Sequence, residues 1–204
     1  MTTLTRTAAL TAMGLALAAC SAAPSGPQTV DLGIALDRTV SALQSFQSYM
    51  ESENQTEVSD ADMEAFRGFL TEMYNDPGFY DQPTGVIMRE DGAFLAYVDA
   101  NRNDTQDAGE DDLFTIEIDE ENERLIASDA SGNATGRRFS GTGFLAGYLV
   151  ARMLGRQSRA GIARGSFNNR NVTPRASYRA PASARSRAAS ARSSTRSGGT
   201  RSGK

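Results

Sequence analysis

Between Asp99 and Glu110, six residues carry oxygen at nearly regular spacing: Asp99, Asn101, Asn103, Thr105, Asp107 and Glu110. In a tight loop, side chains at every second position can turn inward, and an acid at the twelfth position closes the shell with two more oxygens. Thr105, at the seventh position, is free to offer its backbone carbonyl. The chemistry open to such a set is the capture of a hard divalent cation. Other chemistry is sharply limited. The 204 residues include no His, no Trp and one Cys, which removes Ser-His-Asp and Cys-His nucleophiles, His-containing zinc sites and any internal disulfide framework. Carboxylate pairs remain, as in glycoside hydrolysis, but 25 Asp and Glu supply many by chance and no spacing singles one out. A carboxylate-based envelope hydrolase is therefore the weaker alternative. No catalytic residue is assigned, and the expectation is a protein that is not an enzyme.

The Asp99–Glu110 run resembles the EF-hand calcium loop over its twelve residues. That resemblance implies calcium as the ligand. It departs from the pattern twice. The sixth position, usually Gly for its left-handed backbone, is Asp104, and the flanks read as strands rather than helices. Three acids in the shell suggest affinity in the high-micromolar to millimolar range, as in weaker extracellular modules. Asp and Asn are also common turn residues, so a solvated acidic connection between strands fits the same run.

The start of the chain carries a second signal. Arg6 precedes an apolar run from Ala8 to Ala19, which is too short for a membrane span of roughly 20 residues and fits the h-region of a secretory signal. Leu17-Ala18-Ala19-Cys20 then resembles the lipobox of bacterial lipoproteins. This resemblance implies cleavage before Cys20, a covalent lipid on that residue and a membrane anchor. More than one acyl chain gives stable anchoring where one is marginal. Ser21, where inner-membrane retention usually uses Asp, points to the outer membrane rather than the inner.

Charge is ordered along the chain. All 25 acids lie between Asp31 and Asp129 with only five Arg, a balance of −20, whereas 15 basic residues and no acid follow Ala130. Arg175, Arg179, Arg185, Arg187, Arg192, Arg196 and Arg201, set in Ser, Ala and Gly, read as a polyvalent anion binder. Outside the cytoplasm its targets would be an anionic envelope polymer, a protein partner or the chain's own acidic block. Nucleic acid is the alternative if the signal reading is wrong.

The elements that must position these residues follow from periodicity. Leu32, Leu36, Val40, Leu43, Phe46 and Met50 recur at steps of three and four, the mark of one helical face. A second helix starts at Ser59, buries Met63, Phe66, Leu70 and Met73, and stops at Asn75-Asp76-Pro77-Gly78. The period then changes to two. Gly85–Arg89 and Ala93–Asp99 flank Glu90-Asp91-Gly92 as a hairpin, and Leu113–Asp119 and Arg124–Ser128 add two strands. Gly143, Gly147, Ala151 and Gly155, at a spacing of four, form a small-residue stripe suited to close helix packing or self-association. It resembles the glycine-zipper helices of some outer-membrane lipoproteins.

The expected architecture is a small α+β fold: two N-terminal helices with a four-stranded antiparallel sheet, then a short small-residue helix and a disordered tail. The boundaries are a signal peptide at 1–19, a tether at 20–28, an acidic α+β domain at 29–131, a Gly-rich segment with an apolar helix at 132–165, and a basic Ser/Arg/Ala tail at 166–204. The function this implies is a membrane-anchored envelope lipoprotein with a structural or adaptor role.

Overall fold

The computed structural model describes residues 29–138 and 147–197. Helix α1 (Leu32–Ser52) begins where Asp31 Oδ1 accepts from the backbone N–H groups of Gly33 and Ile34, at 3.0 and 3.2 Å. This cap satisfies two donors that a helix start otherwise leaves unpaired. Helix α2 (Asp60–Asn75) starts with a capping box: the Ser59 hydroxyl accepts from the Asp62 N–H, and the Asp62 carboxylate accepts from the Ser59 N–H. All six apolar residues anticipated on α1 are buried, as are Met63, Phe66 and Leu70 on α2.

Strands β1 (Thr84–Met88), β2 (Phe94–Val98), β3 (Asp112–Asp119), β4 (Arg124–Asp129) and β5 (Ala134–Arg138) form an antiparallel meander, and β6 (Thr173–Pro174) adds parallel to β5. Alternation puts Val86, Phe94, Ala96, Phe114, Ile116, Leu125 and Ala127 on the face covered by α1 and α2. Aromatic rings join the layers: Phe66 lies 5.3 Å from Phe46 and 5.4 Å from Phe94, and Tyr74 lies 5.4 Å from Phe114. On the opposite side, Ile126, Ala134 and Phe167 make a smaller cluster against which Ile162 and Val172 pack.

The fold is thus α+β, with four helices and a six-stranded mixed sheet among the described residues. Four expected strands become six. β5 falls where a Gly-rich connection was expected, and Thr135, its second residue, is fully buried. The larger correction concerns the tail. From 166 onward the chain forms β6 and a helix, α4 (Ala182–Ser197), where composition predicted no structure. Ala184, Ala188 and Ala191, spaced by four and three, are buried, and Tyr178 packs into the main core. Small side chains let this helix lie close, so it needs few large apolar residues to dock.

Helix α3 (Tyr148–Arg159) carries the small-residue stripe. Its packing face is Leu149, Val150 and Met153, all buried. Of the small-residue stripe, Gly143 lies outside the described residues, Gly147 is the N-cap, Ala151 is exposed, and a Cβ added at Gly155 would meet nothing within 4 Å. Within the chain, close approach occurs at Gly92 instead. In the β1–β2 turn it has φ +77°, and a Cβ there would stand 2.6 Å from the Met153 carbonyl oxygen. The side chain that allows α3 to dock is one that is missing from the hairpin. No described helix is long and apolar enough to cross a membrane.

Docking of α4 should depend on its alanine stripe. Ala188→Glu buries an unpaired charge and should cost about 1–3 kcal/mol. Limited trypsin digestion should then cut at Arg185, Arg187 and Arg192 well before the sheet is attacked, whereas equal cleavage rates for variant and wild type would show that α4 is not held by this face.

Candidate functional site

The Asp99–Glu110 loop connects β2 to β3, and its base is closed by the Val98 N–H donating to the Asp111 carbonyl at 2.9 Å. Asp99 is only 3% exposed, and its own N–H donates to the Pro83 carbonyl. One carboxylate oxygen, Oδ1, accepts from the Asn103 N–H and the other, Oδ2, from the Asp104 N–H, both at 3.1 Å. The chain therefore wraps around the first carboxylate. Asn101 Oδ1 accepts from the Asn103 N–H, and Asn103 Oδ1 from the Thr105 N–H, which forms two consecutive side-chain turns.

The far side of the loop is tied to the near side. Glu110 Oε1 accepts from the Ala100 N–H at 3.0 Å and Oε2 from the Asp107 N–H at 2.9 Å. Asp107 Oδ2 accepts from the side-chain amides of both Asn101 and Asn103, at 2.8 and 2.9 Å. Five of the six anticipated residues are thus joined by their side-chain oxygens, and Thr105 joins through its backbone. Asp104, whose side chain is larger than the Gly usual at this position, nevertheless has φ +57°. The hydrogen bond from its N–H to Asp99 holds it in the left-handed region, which Asp tolerates better than most residues. Arg102 and Gly109, at φ +60° and +99°, make the other two reversals.

Two buried hydroxyls next to this loop lack partners among the described residues. Thr84 Oγ1 is one; Thr84 is 2% exposed and lines an open groove of about 510 Å³ together with Asp81, Asp99, Asp104 and Ala191. The other is the Tyr97 hydroxyl. Tyr97 pairs across the sheet with Gly85, where a Cβ would come within 2.3 Å of its ring. Burial pushes the Tyr97 hydroxyl up to about 12, and the negative charges of Asp99, Glu110 and Asp104 add to the shift. These two hydroxyls were not anticipated, because an orphaned group has no signature in residue spacing.

The basic candidates of the tail are not gathered into one anion cradle. Arg175 donates to Asp37 Oδ2 through Nη2 at 2.6 Å and Nε at 3.1 Å, and to the Gly33 carbonyl. Arg187 donates to the Tyr80 hydroxyl, stacks over that ring and lies 3.7 Å from Asp81. Arg179 donates to the Ala176 and Tyr178 carbonyls, Arg192 to that of Ala188, and Arg185 is exposed. Arg196 belongs to α4, but its side chain lies outside the described residues, as do Arg201 and Cys20. Further toward the middle of the chain, Arg152 and Arg156 both hold Asp60, Arg164 holds Glu120 and Arg170 holds Glu117.

No protein-family model, curated protein or solved structure matches this chain. Among the described residues no group of three or more His, Cys, Asp or Glu side chains is gathered as a metal cluster. The loop's oxygens are instead shared between carboxylates, amides and backbone, with both Asn amides turned toward Asp107.

The Tyr97 proton gives a measurable pH dependence. The unfolded chain ionises a tyrosine near 10, while the fold keeps the Tyr97 proton to about 12. Because the folded value is raised, this contribution to stability is complete below about 10 and is lost as pH climbs toward 12. Tyr97→Phe should remove that part of the alkaline loss and change stability at neutral pH by no more than about 1 kcal/mol, since the hydroxyl has no partner to lose. Urea melts of both proteins at pH 7 and pH 11 would reveal a shared, unchanged alkaline loss if burial of Tyr97 were not the cause.

Proposed function

We propose that this chain is a lipid-anchored envelope protein in which the β2–β3 loop binds one calcium ion. The observation that carries the calcium reading is the wrapping of Asn101–Asp107 around the buried Asp99 carboxylate, with Asp104 in the left-handed conformation that this loop type requires. Asp99, Asn101, Asn103, Asp107 and Glu110 would hold the ion with their side chains, and Thr105 with its carbonyl. Oδ1 of Asn101 and of Asn103 each accepts one backbone N–H and keeps a second lone pair that an ion could take without undoing these turns.

The anchor reading rests on Leu17-Ala18-Ala19-Cys20. The adaptor reading rests on the pairing of the basic half with the acidic half, in which Arg187 lies against Asp81 and Tyr80 and so helps to hold the protein together. A bound ion would neutralise charge in the acidic half and stiffen the loop at the rim of the Asp81–Ala191 groove, where a partner would read the difference.

Calorimetric titration should give one calcium site in the range of about 0.1–1 mM. Asp99→Ala combined with Glu110→Gln should abolish the heat, and calcium should lower the midpoint of Tyr97 ionisation by neutralising the acids beside it. No heat at millimolar calcium, or heat unchanged in the double variant, removes the calcium reading. For the anchor, a fatty-acid label should be incorporated by wild type in cells and lost in Cys20→Ala, and equal labelling of the two rejects it.

A further inference from the structure

At the β5–β6 side of the sheet, a groove of about 490 Å³ is lined by Arg124, Arg137, Arg138 and Arg175 together with Val172 and Pro174. Its charge is not balanced within the protein. Arg124 pairs with Asp119, but Arg137 and Arg175 share the single carboxylate of Asp37, and the side chain of Arg138 makes no hydrogen bond or ion pair among the described residues. Arg138 also sits directly opposite Arg124 in the β4–β5 register. Like charges facing each other across a strand pair destabilise it unless something between them carries the opposite sign. Asp119 already offsets Arg124, and Asp37 offsets one of Arg137 and Arg175, so the four arginines around the groove keep an excess of two positive charges for an anion.

The groove also has a fixed relation to the chain's start. Arg175 reaches the Gly33 carbonyl and Asp37, in the first two turns of α1. Thr29, the first described residue, follows Cys20 by nine residues, which extend to at most about 30 Å. A lipid on Cys20 would therefore keep this groove within one tether length of the membrane. Guanidinium groups form paired hydrogen bonds with phosphate oxygens, and apolar side chains beside them suit the glycerol and upper acyl region of a lipid.

We propose that this groove seats the phosphate headgroup of a membrane lipid, so that the protein rests against its own membrane with the β5–β6 side inward. The proposal deepens the anchor reading and rests on it for its geometry. It places the calcium loop, at the β2–β3 connection, away from the strands that touch the headgroups.

The test uses residues 21–204, which keep the whole core and lack the apolar segment that would itself enter vesicles. Flotation with phosphatidylcholine vesicles containing phosphatidylglycerol should show binding that weakens with salt, with little binding to phosphatidylcholine alone. Arg138→Gln should weaken it about fivefold, and Arg124→Gln with Arg138→Gln further, as expected for about 1 kcal/mol per basic residue at an anionic surface. Thermal melts should show Arg138→Gln at least as stable as wild type, since no pairing is lost and the like charge facing Arg124 is removed. Equal binding to both vesicle types, or unchanged binding by Arg138→Gln, overturns the proposal. So does complete displacement by millimolar inorganic phosphate, which would make a soluble anion the ligand. Because these proteins carry no lipid, their result is separate from the Cys20 labelling: equal labelling of wild type and Cys20→Ala, with vesicle binding retained, rejects only the anchor.

Discussion

The structure depends on an acidic first half being closed by a basic second half of the same chain. Arg137, Arg152, Arg156, Arg164, Arg170, Arg175 and Arg187 each reach an acid between Asp37 and Glu120, across sequence separations from 44 to 138 residues. Most of these pairs are partly exposed; Asp60, for example, keeps 71% of its side-chain surface while holding two arginines. Such pairs contribute on the order of 0–1 kcal/mol each and weaken with salt. They cannot by themselves hold the second half in place. Burial of Leu149, Val150, Met153, Phe167 and Tyr178 contributes more, at roughly 1.5–3 kcal/mol for a fully buried large apolar side chain. The ion pairs select which surface those residues meet, and apolar contact makes the choice stable.

That division of labour explains which parts were legible in the sequence. Helices α1 and α2 bury long apolar side chains at regular steps, and the β1–β2 hairpin turns at a Gly that needs positive φ, so local pattern and tertiary packing agree. α4 carries its information differently. Its buried stripe is Ala184, Ala188 and Ala191 in a background of Ser and Arg, and composition counts alanine as too small to order a segment. Its order comes from a surface built more than 100 residues earlier, around Tyr80 and Asp81. β6, at two residues, has no period to read at all.

The small-residue stripe shows the complementary limit of reading spacing alone. Spacing places Gly147, Ala151 and Gly155 on one face of α3, but not which face turns inward. Leu149, Val150 and Met153 bury far more apolar surface than the stripe can, so the helix rotates to hide them and presents Ala151 to solvent. In the Asp99–Glu110 loop, residue types and spacing were readable because an oxygen-lined loop is built from local hydrogen bonds. The left-handed backbone of Asp104 was the expected obstacle. The Asp99 carboxylate removes it by accepting that residue's N–H, which offsets a conformational cost that glycine would not incur.

Charge order also bears on whether the acidic half is a domain in its own right. Residues 29–131 contain α1, α2 and four strands, enough chain for one core. Yet Ile126 and Ala134 on the outer face are covered by Phe167, and β4 is an inner strand only because β5 pairs with it. Cutting after 131 would expose an apolar patch and an open strand edge, and would leave the acids without the arginines that face them. Calcium at the β2–β3 loop would relieve only a local part of that repulsion. The two halves therefore share one sheet and its cover, and the basic half supplies the counter-charge that faces the acidic one. Among the described residues, arginines such as Arg138, Arg159 and Arg185 keep no acidic partner after that closure and are left to face something else.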